Sequence, residues 1–140
     1  MSDTYEFAPP SYQNAVDLLP GWTSAFPPEA NVSAGAAFLY EDPRIHWAIK
    51  QFGSLENKRI LELGPLEGAH TSLLERNGAL RIDAIEANKL AYLRCLVAKE
   101  IFALRRSRLA TQPCSRPAGR GGPRLSHATT ALTRLSHCAM

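Results

Sequence analysis

The chain has 140 residues, 45% of them hydrophobic, which suits one small domain with a modest core. Its formal charge of +3 hides a division: residues 1–104 carry nine Lys or Arg against thirteen Asp or Glu, whereas residues 105–140 carry seven Arg and no acid. No stretch approaches the length of a membrane-spanning helix, and the polar start, with Asp3 and Glu6, lacks the pattern of a secretory signal, so a cytoplasmic protein without membrane contact is expected.

Ser11 is placed to cap a short helix over Tyr12 to Leu19, whose Ala15, Val16, Leu18 and Leu19 offer an apolar side; Pro20-Gly21 ends it. Trp22 and Phe26 follow in a proline-studded loop. They suit either a flap over a ligand site or a cover for the apolar flank of the domain. Asn31-Val32-Ser33 matches a glycosylation acceptor, a chance match in a chain without a secretion signal. Residues 1–36 therefore read as an extension, mostly loop.

Asp42-Pro43 starts a second helix, the acid as cap and the proline at the first helical position. Ile45, Ala48, Ile49 and Phe52 recur at helical spacing until Gly53, so this helix should lie against a sheet. His46 sits beside that stripe. It has the chemistry of a proton acceptor, but a lone histidine on a half-buried helix is more often structural.

From Arg59 to Asn88 the pattern is strand, glycine loop, helix, strand. Ile60, Leu61 and Leu63 form an apolar run suited to a parallel strand covered on both faces. Gly64-Pro65-Leu66-Glu67-Gly68 breaks it, and Ala69 to Arg76 resumes at helical spacing. Asn77-Gly78 stops the helix, with Gly78 placed for the left-handed conformation. Arg81 to Glu86 is the second run, completing a βαβ unit. A glycine straight after a strand permits a sharp turn, and Gly68 at the helix mouth leaves room for a ligand. Free N–H groups there favour a carboxylate or phosphate. An acid such as Glu86, at a strand's carboxyl end, suits the hydroxyls of a ribose.

LELGPLEGAHT resembles the first motif of the class I S-adenosylmethionine-dependent methyltransferases: an acid, any residue, Gly, three residues, Gly. Here these are Glu62, Gly64 and Gly68. IEAN, with Glu86, is similar to the motif ending the family's second strand, and the wording is close to bacterial methyltransferase-domain proteins with an ELGPLEG loop and an EAN turn. The resemblance runs from about Asn14 to Leu104. It implies a Rossmann-like α/β fold, S-adenosyl-L-methionine as cofactor and methyl transfer to an acceptor. It further implies that the Gly64, Pro65 and Gly68 loop wraps the methionine part, Glu62 helps to hold its amino group, Glu86 binds the ribose, and Ala87 and Asn88 lie near the adenine. The plainer reading makes the glycines turn residues and the acids solvated strand ends. A dinucleotide fingerprint fits less well, because Leu66 stands where its second glycine belongs. His70 is either a donor near the cofactor or a first-turn surface residue.

Asn88 is placed to cap a helix over Lys89 to about Leu104, striped by Leu90, Leu93, Val97, Ile101 and Leu104, with Cys95 as a core or boundary residue. Residues 37–104 thus form a partial cofactor-binding domain. The family's next strand, ending in an acid beside the adenine, is not expected. Residues 105–140 contain no Val, Ile, Phe, Tyr or Trp, and Pro113, Pro117, Pro123, Gly119, Gly121 and Gly122 break their middle. A disordered Arg-rich tail is expected, with at most a weak helical turn over Ala128 to Leu135. It reads either as a basic arm for nucleic acid, though without aromatics for stacking, or as a family sequence truncated or frameshifted after about Leu104. Cys114, Cys138, His127 and His137 lack zinc-site spacing, so no metal is expected. On this reading the chain binds its cofactor weakly or not at all and is weakly active or inactive. A non-catalytic nucleotide-binding module and a nucleic-acid-binding protein are the alternatives.

Overall fold

The computed structural model describes residues 5–111 and 129–133. Helix α1 (Tyr12–Asp17) is capped by Ser11, and α2 (Pro43–Phe52) by Asp42. Strand β1 (Arg59–Leu63), helix α3 (Ala69–Arg76), strand β2 (Arg81–Glu86) and helix α4 (Lys89–Ile101) follow, then strands β3 (Ser107–Thr111) and β4 (Thr129–Thr133). All pairings are parallel and the order is β3-β2-β1-β4. The chain steps outward from β1 to β3 and then returns to the far side of β1. That reversal creates a switch point, and open α/β sheets bind ligands outside the carboxyl ends of the strands there.

The strands alternate as a sheet with one well-packed face must. Ile60, Ile82 and Ala84 point into a core with Leu55, Leu74 and Ala79, and Ile45, Ile49 and Leu109 pack against it. Two right-handed crossovers in the same direction put α3 and α4 on this face. Leu61 and Ile85 point the other way and are only half-buried, and Leu63 is 38% exposed. The run of β1 suits a strand covered on both faces; among the described residues the second face is only partly covered. The α3–β2 turn closes as its sequence predicts, with Gly78 at φ 91° and Gly78 N–H donating to Glu75 O.

The expectation for residues 105–140 needs correction at two places. Ser107–Thr111 is a strand in register with β2, and Thr129–Thr133 is a strand beside β1, not a helical turn. The physical reason is that pairing partners, not apolar content, decide these segments. Arg105 N–H, Arg106 N–H and Ser107 Oγ all donate to the Glu75 carboxylate, at 2.8, 3.1 and 2.6 Å. Lys99 Nζ donates to Ser107 O at 2.6 Å, and Leu109 reaches the core. In Thr129–Thr133 three of five residues are threonines, β-branched and at ease in a strand. The prolines and glycines at 113–123, and Ala128 and Leu135, lie outside the described residues.

Glu75 is therefore the anchor that starts β3. Glu75→Ala should lower unfolding free energy by about 1.5–3 kcal/mol, the range for hydrogen bonds to a charged group, and speed amide exchange across residues 107–111. Unchanged denaturation and unchanged exchange would remove Glu75 from that role.

Candidate functional site

Every residue singled out in the glycine-loop region lies at one end of the sheet, where β1 and β2 finish and α3 begins. Three of the five loop residues are left-handed: Gly64 at φ 70°, Leu66 at φ 57° and Gly68 at φ 77°. The bend is pinned by Gly64 N–H to Ile85 O and Gly68 N–H to Pro65 O, each 2.9 Å. The two glycines do different work. A Cβ on Gly64 would meet nothing within 4 Å, so its face is open; a Cβ on Gly68 would meet Cys95 Sγ at 3.0 Å. Gly68 therefore lets α3 start hard against α4, and the room it leaves is filled by that helix rather than kept for a ligand.

Glu86 is 8% exposed and accepts Leu66 N–H at 2.9 Å and Asn88 N–H at 2.8 Å. One carboxylate thus ties the loop to the end of β2. It also supports the only non-glycine left-handed residue of the bend, a conformation costing about 1–2 kcal/mol. Glu62 is 4% exposed and accepts Thr71 Oγ1 at 2.6 Å, linking β1 to the first turn of α3. Ala87 and Asn88 are exposed; the Asn88 side chain caps α4 through Leu90 and Ala91 N–H.

His70 is not a surface residue. It is 8% exposed, and its Nε2 lies 2.9 Å from Asp42 Oδ2. Asp42 also takes the Arg44 guanidinium, at 2.6 Å, and Arg44 N–H, at 2.9 Å. The Arg44 guanidinium first, then Arg44 N–H and His70, hold the Asp42 carboxyl well below its ordinary range against the opposing effect of burial. His46, by contrast, pairs on the exterior with Glu41 at 2.8 Å, and Glu41 pairs with Arg76 in the last turn of α3, away from the loop.

Glu67, in the middle of the loop, has no exposed surface. Its two oxygens accept Thr23 N–H at 2.8 Å and Ser24 N–H at 2.7 Å. Arg94 of α4 lies 3.5 Å from Glu67 and also donates to Pro20 O. The segment 20–24 is thereby strapped onto the loop. Behind it Gly35 packs so closely that a Cβ would fall 2.2 Å from the Thr23 carbonyl. Trp22 and Phe26 meet edge to face, and Phe26 stacks on Phe102 at the end of α4 with centroids 5.8 Å apart. The aromatic pair thus covers the flank, and it is the backbone between them that meets the loop. A narrow crevice, too tight for a water molecule, remains between strap and loop, lined by Ser24, Leu39, Pro65, Leu66, Ala69 and His70.

Cys95 is buried, and burial with the nearby Glu62, Glu86 and Glu67 pushes its thiol up, so it is a protonated packing residue. Among the described residues no cluster could hold a metal ion; Cys114, Cys138, His127 and His137 lie outside them. No helix among them is long and apolar enough to cross a membrane. Glu67, Thr71 and Ser24 were not signalled by the sequence as members of this site, and Asp42 was signalled only as a cap. Their partners are distant in the chain, so no local spacing marks them.

No protein-family model matches the chain, and no curated protein matches it. Among solved structures it is similar to EvdMO1, with a TM-score of 0.58 and 26% identity over 71% of this chain and 23% of that one. The N-terminal domain of EvdMO1 with SAH bound is 28% identical at a TM-score of 0.58, over 71% of this chain and 44% of that one. The same domain in the presence of SAH and D-fucose is 25% identical. The chain thus spans less than half of the domain it matches.

Two outcomes test this geometry. Glu67→Ala strands a buried guanidinium and two amide donors, and should cost about 3–5 kcal/mol of unfolding free energy; a loss below about 1 kcal/mol, the range of an ordinary surface pair, would contradict it. Asp42, its pKa depressed, contributes stability that is present above the unfolded value of about 4 and lost as pH falls below it. Acid denaturation should show that loss, and Asp42→Asn should flatten it. An unaltered acid limb in the variant would contradict the assignment.

Proposed function

We propose that this chain, whose fold is that of the class I S-adenosylmethionine-dependent methyltransferases, holds the adenosyl cofactor across the ends of β1 and β2 and serves methyl transfer to a nucleophilic acceptor. The observation that carries the reading is the 2.9 Å hydrogen bond from Leu66 N–H to Glu86. It sets the candidate ribose acid and the glycine bend side by side at the carboxyl ends of the neighbouring parallel strands β1 and β2, with the switch point on the other side of β1. The EvdMO1 domain that this chain matches was crystallised with SAH bound, which supports the same ligand class here.

The residues fit such a group. Gly64 presents open backbone at the mouth of the bend, where a side chain would meet nothing. A carboxylate has about four acceptor positions, and Glu86 uses two on Leu66 and Asn88, leaving capacity for two sugar hydroxyls. Glu62, buried and oriented by Thr71, is placed to receive an ammonium group. When bound, S-adenosylmethionine supplies an electrophilic methyl group on a positively charged sulfur. The residues of this chain bind and orient, which is the main work of such an enzyme. On the adenine side, β3 ends at Thr111 where the family resemblance expects an acid. That motivates weak binding and slow or absent turnover by this chain.

Isothermal titration with S-adenosylhomocysteine tests the reading. Weak saturable binding is expected, and Glu86→Ala should weaken it about tenfold or more, as loss of charged hydrogen bonds does. Affinity unchanged in Glu86→Ala, or no binding at all, would contradict the proposal.

A further inference from the structure

Helix α4 has two sides of opposite character. Ala91, Arg94, Cys95 and Ala98 face inward and are buried, and Arg94 and Cys95 meet the strap and the glycine loop. The outward side is apolar and uncovered: Leu90, Leu93 and Leu96 are 40%, 45% and 40% exposed. Single surface leucines need no explanation, but a contiguous apolar stripe marks an interaction surface. Lys89, Leu93, Leu96 and Glu100 follow one another at steps of four, three and four, so they make one ridge along the helix. Leu90 and the half-buried Val97 flank that ridge on one side. The ridge begins with a cation and ends with an anion, both exposed and neither in an ion pair among the described residues. The other cations of α4 are engaged elsewhere, Arg94 by Glu67 and Pro20 O, and Lys99 by Ser107 O at 2.6 Å.

We propose that this face seats a second copy of the chain, α4 packing antiparallel on α4 about a two-fold axis. The order lysine, leucine, leucine, glutamate is its own complement when read from the other end. With Leu93 opposite Leu96 of the second copy, Lys89 comes opposite Glu100, and the axis makes each contact twice. The same axis turns like flanks toward each other, so Leu90 and Val97 meet their counterparts instead of a polar surface. A parallel pair sets lysine against lysine and glutamate against glutamate, which the charges oppose. One helix face buries less than the roughly 1,200–2,000 Å² of standard stable complexes, so the dimer is a weak one, with a dissociation constant of about 10–100 µM. The ridge lies on the side of α4 away from Arg94 and Cys95, so each protomer keeps its glycine bend open. The inference is independent of the cofactor reading.

Sedimentation equilibrium on the full chain tests it, from about 5 to about 500 µM and at low salt, because exposed charges are screened. A reversible monomer–dimer equilibrium is expected. Leu93→Gln, at an exposed position that leaves the fold intact, should weaken association about tenfold or more, since it acts in both copies. Lys89→Glu and Glu100→Lys should each weaken it about tenfold, because each sets two like-charge pairs in the dimer. The double variant Lys89→Glu/Glu100→Lys restores opposite charges and should return association to within about threefold of the native chain. That recovery belongs to the antiparallel register, because the two residues lie at opposite ends of one helix and cannot meet within one copy. A native chain that is monomeric at about 500 µM, or that forms open-ended assemblies, overturns the proposal. So does a dimer indifferent to Leu93→Gln, or a double variant as dissociated as the single ones.

Discussion

The loop from Gly64 to Gly68 can turn as it does only because Glu86 holds Leu66 in a left-handed conformation from the next strand. Two glycines accept that region freely; the leucine does not, and its N–H bond to Glu86 offsets part of the strain. The same bond fixes the distance between loop and acid. Geometry that suits a nucleoside with an amino-acid tail is thus a by-product of how the bend is supported, and the support and the candidate site are the same atoms.

Four buried acids surround this end of the sheet, and each fastens a different piece of chain to it. Glu62 ties β1 to α3, Glu86 ties the loop to β2, Asp42 ties the start of α2 to His70, and Glu67 ties the N-terminal strap to loop and α4. A buried carboxylate without partners is costly, so each acid selects the one arrangement in which its donors are in place. The consequence is a rigid frame in which the loop mouth at Gly64 is open and most of its surroundings are committed.

The elements around the motif were legible in the sequence because their signals are local. Asp42-Pro43, Asn88 and Gly78 act within a few residues of themselves, and the runs ending at Leu63 and Glu86 read as strands without help. The end of α4 came earlier than its stripe suggested, at Ile101. What was hidden depends on distant partners. Ser107–Thr111 becomes a strand through Glu75 and β2, and Gly68 is needed by Cys95 as much as by the turn. Glu67, which no local spacing marks, is the most enclosed of the four acids, because its donors lie 43 and 44 residues earlier in the chain.

The central claim is that the glycine bend and Glu86 form one ligand site. Amide chemical-shift mapping by NMR during titration with S-adenosylhomocysteine tests it most directly. The account predicts that the largest shifts fall on Gly64, Leu66 and Asn88, with progressively smaller ones along α3 and little change in α2. Shifts concentrated away from the ends of β1 and β2, or none at saturating ligand, would contradict it.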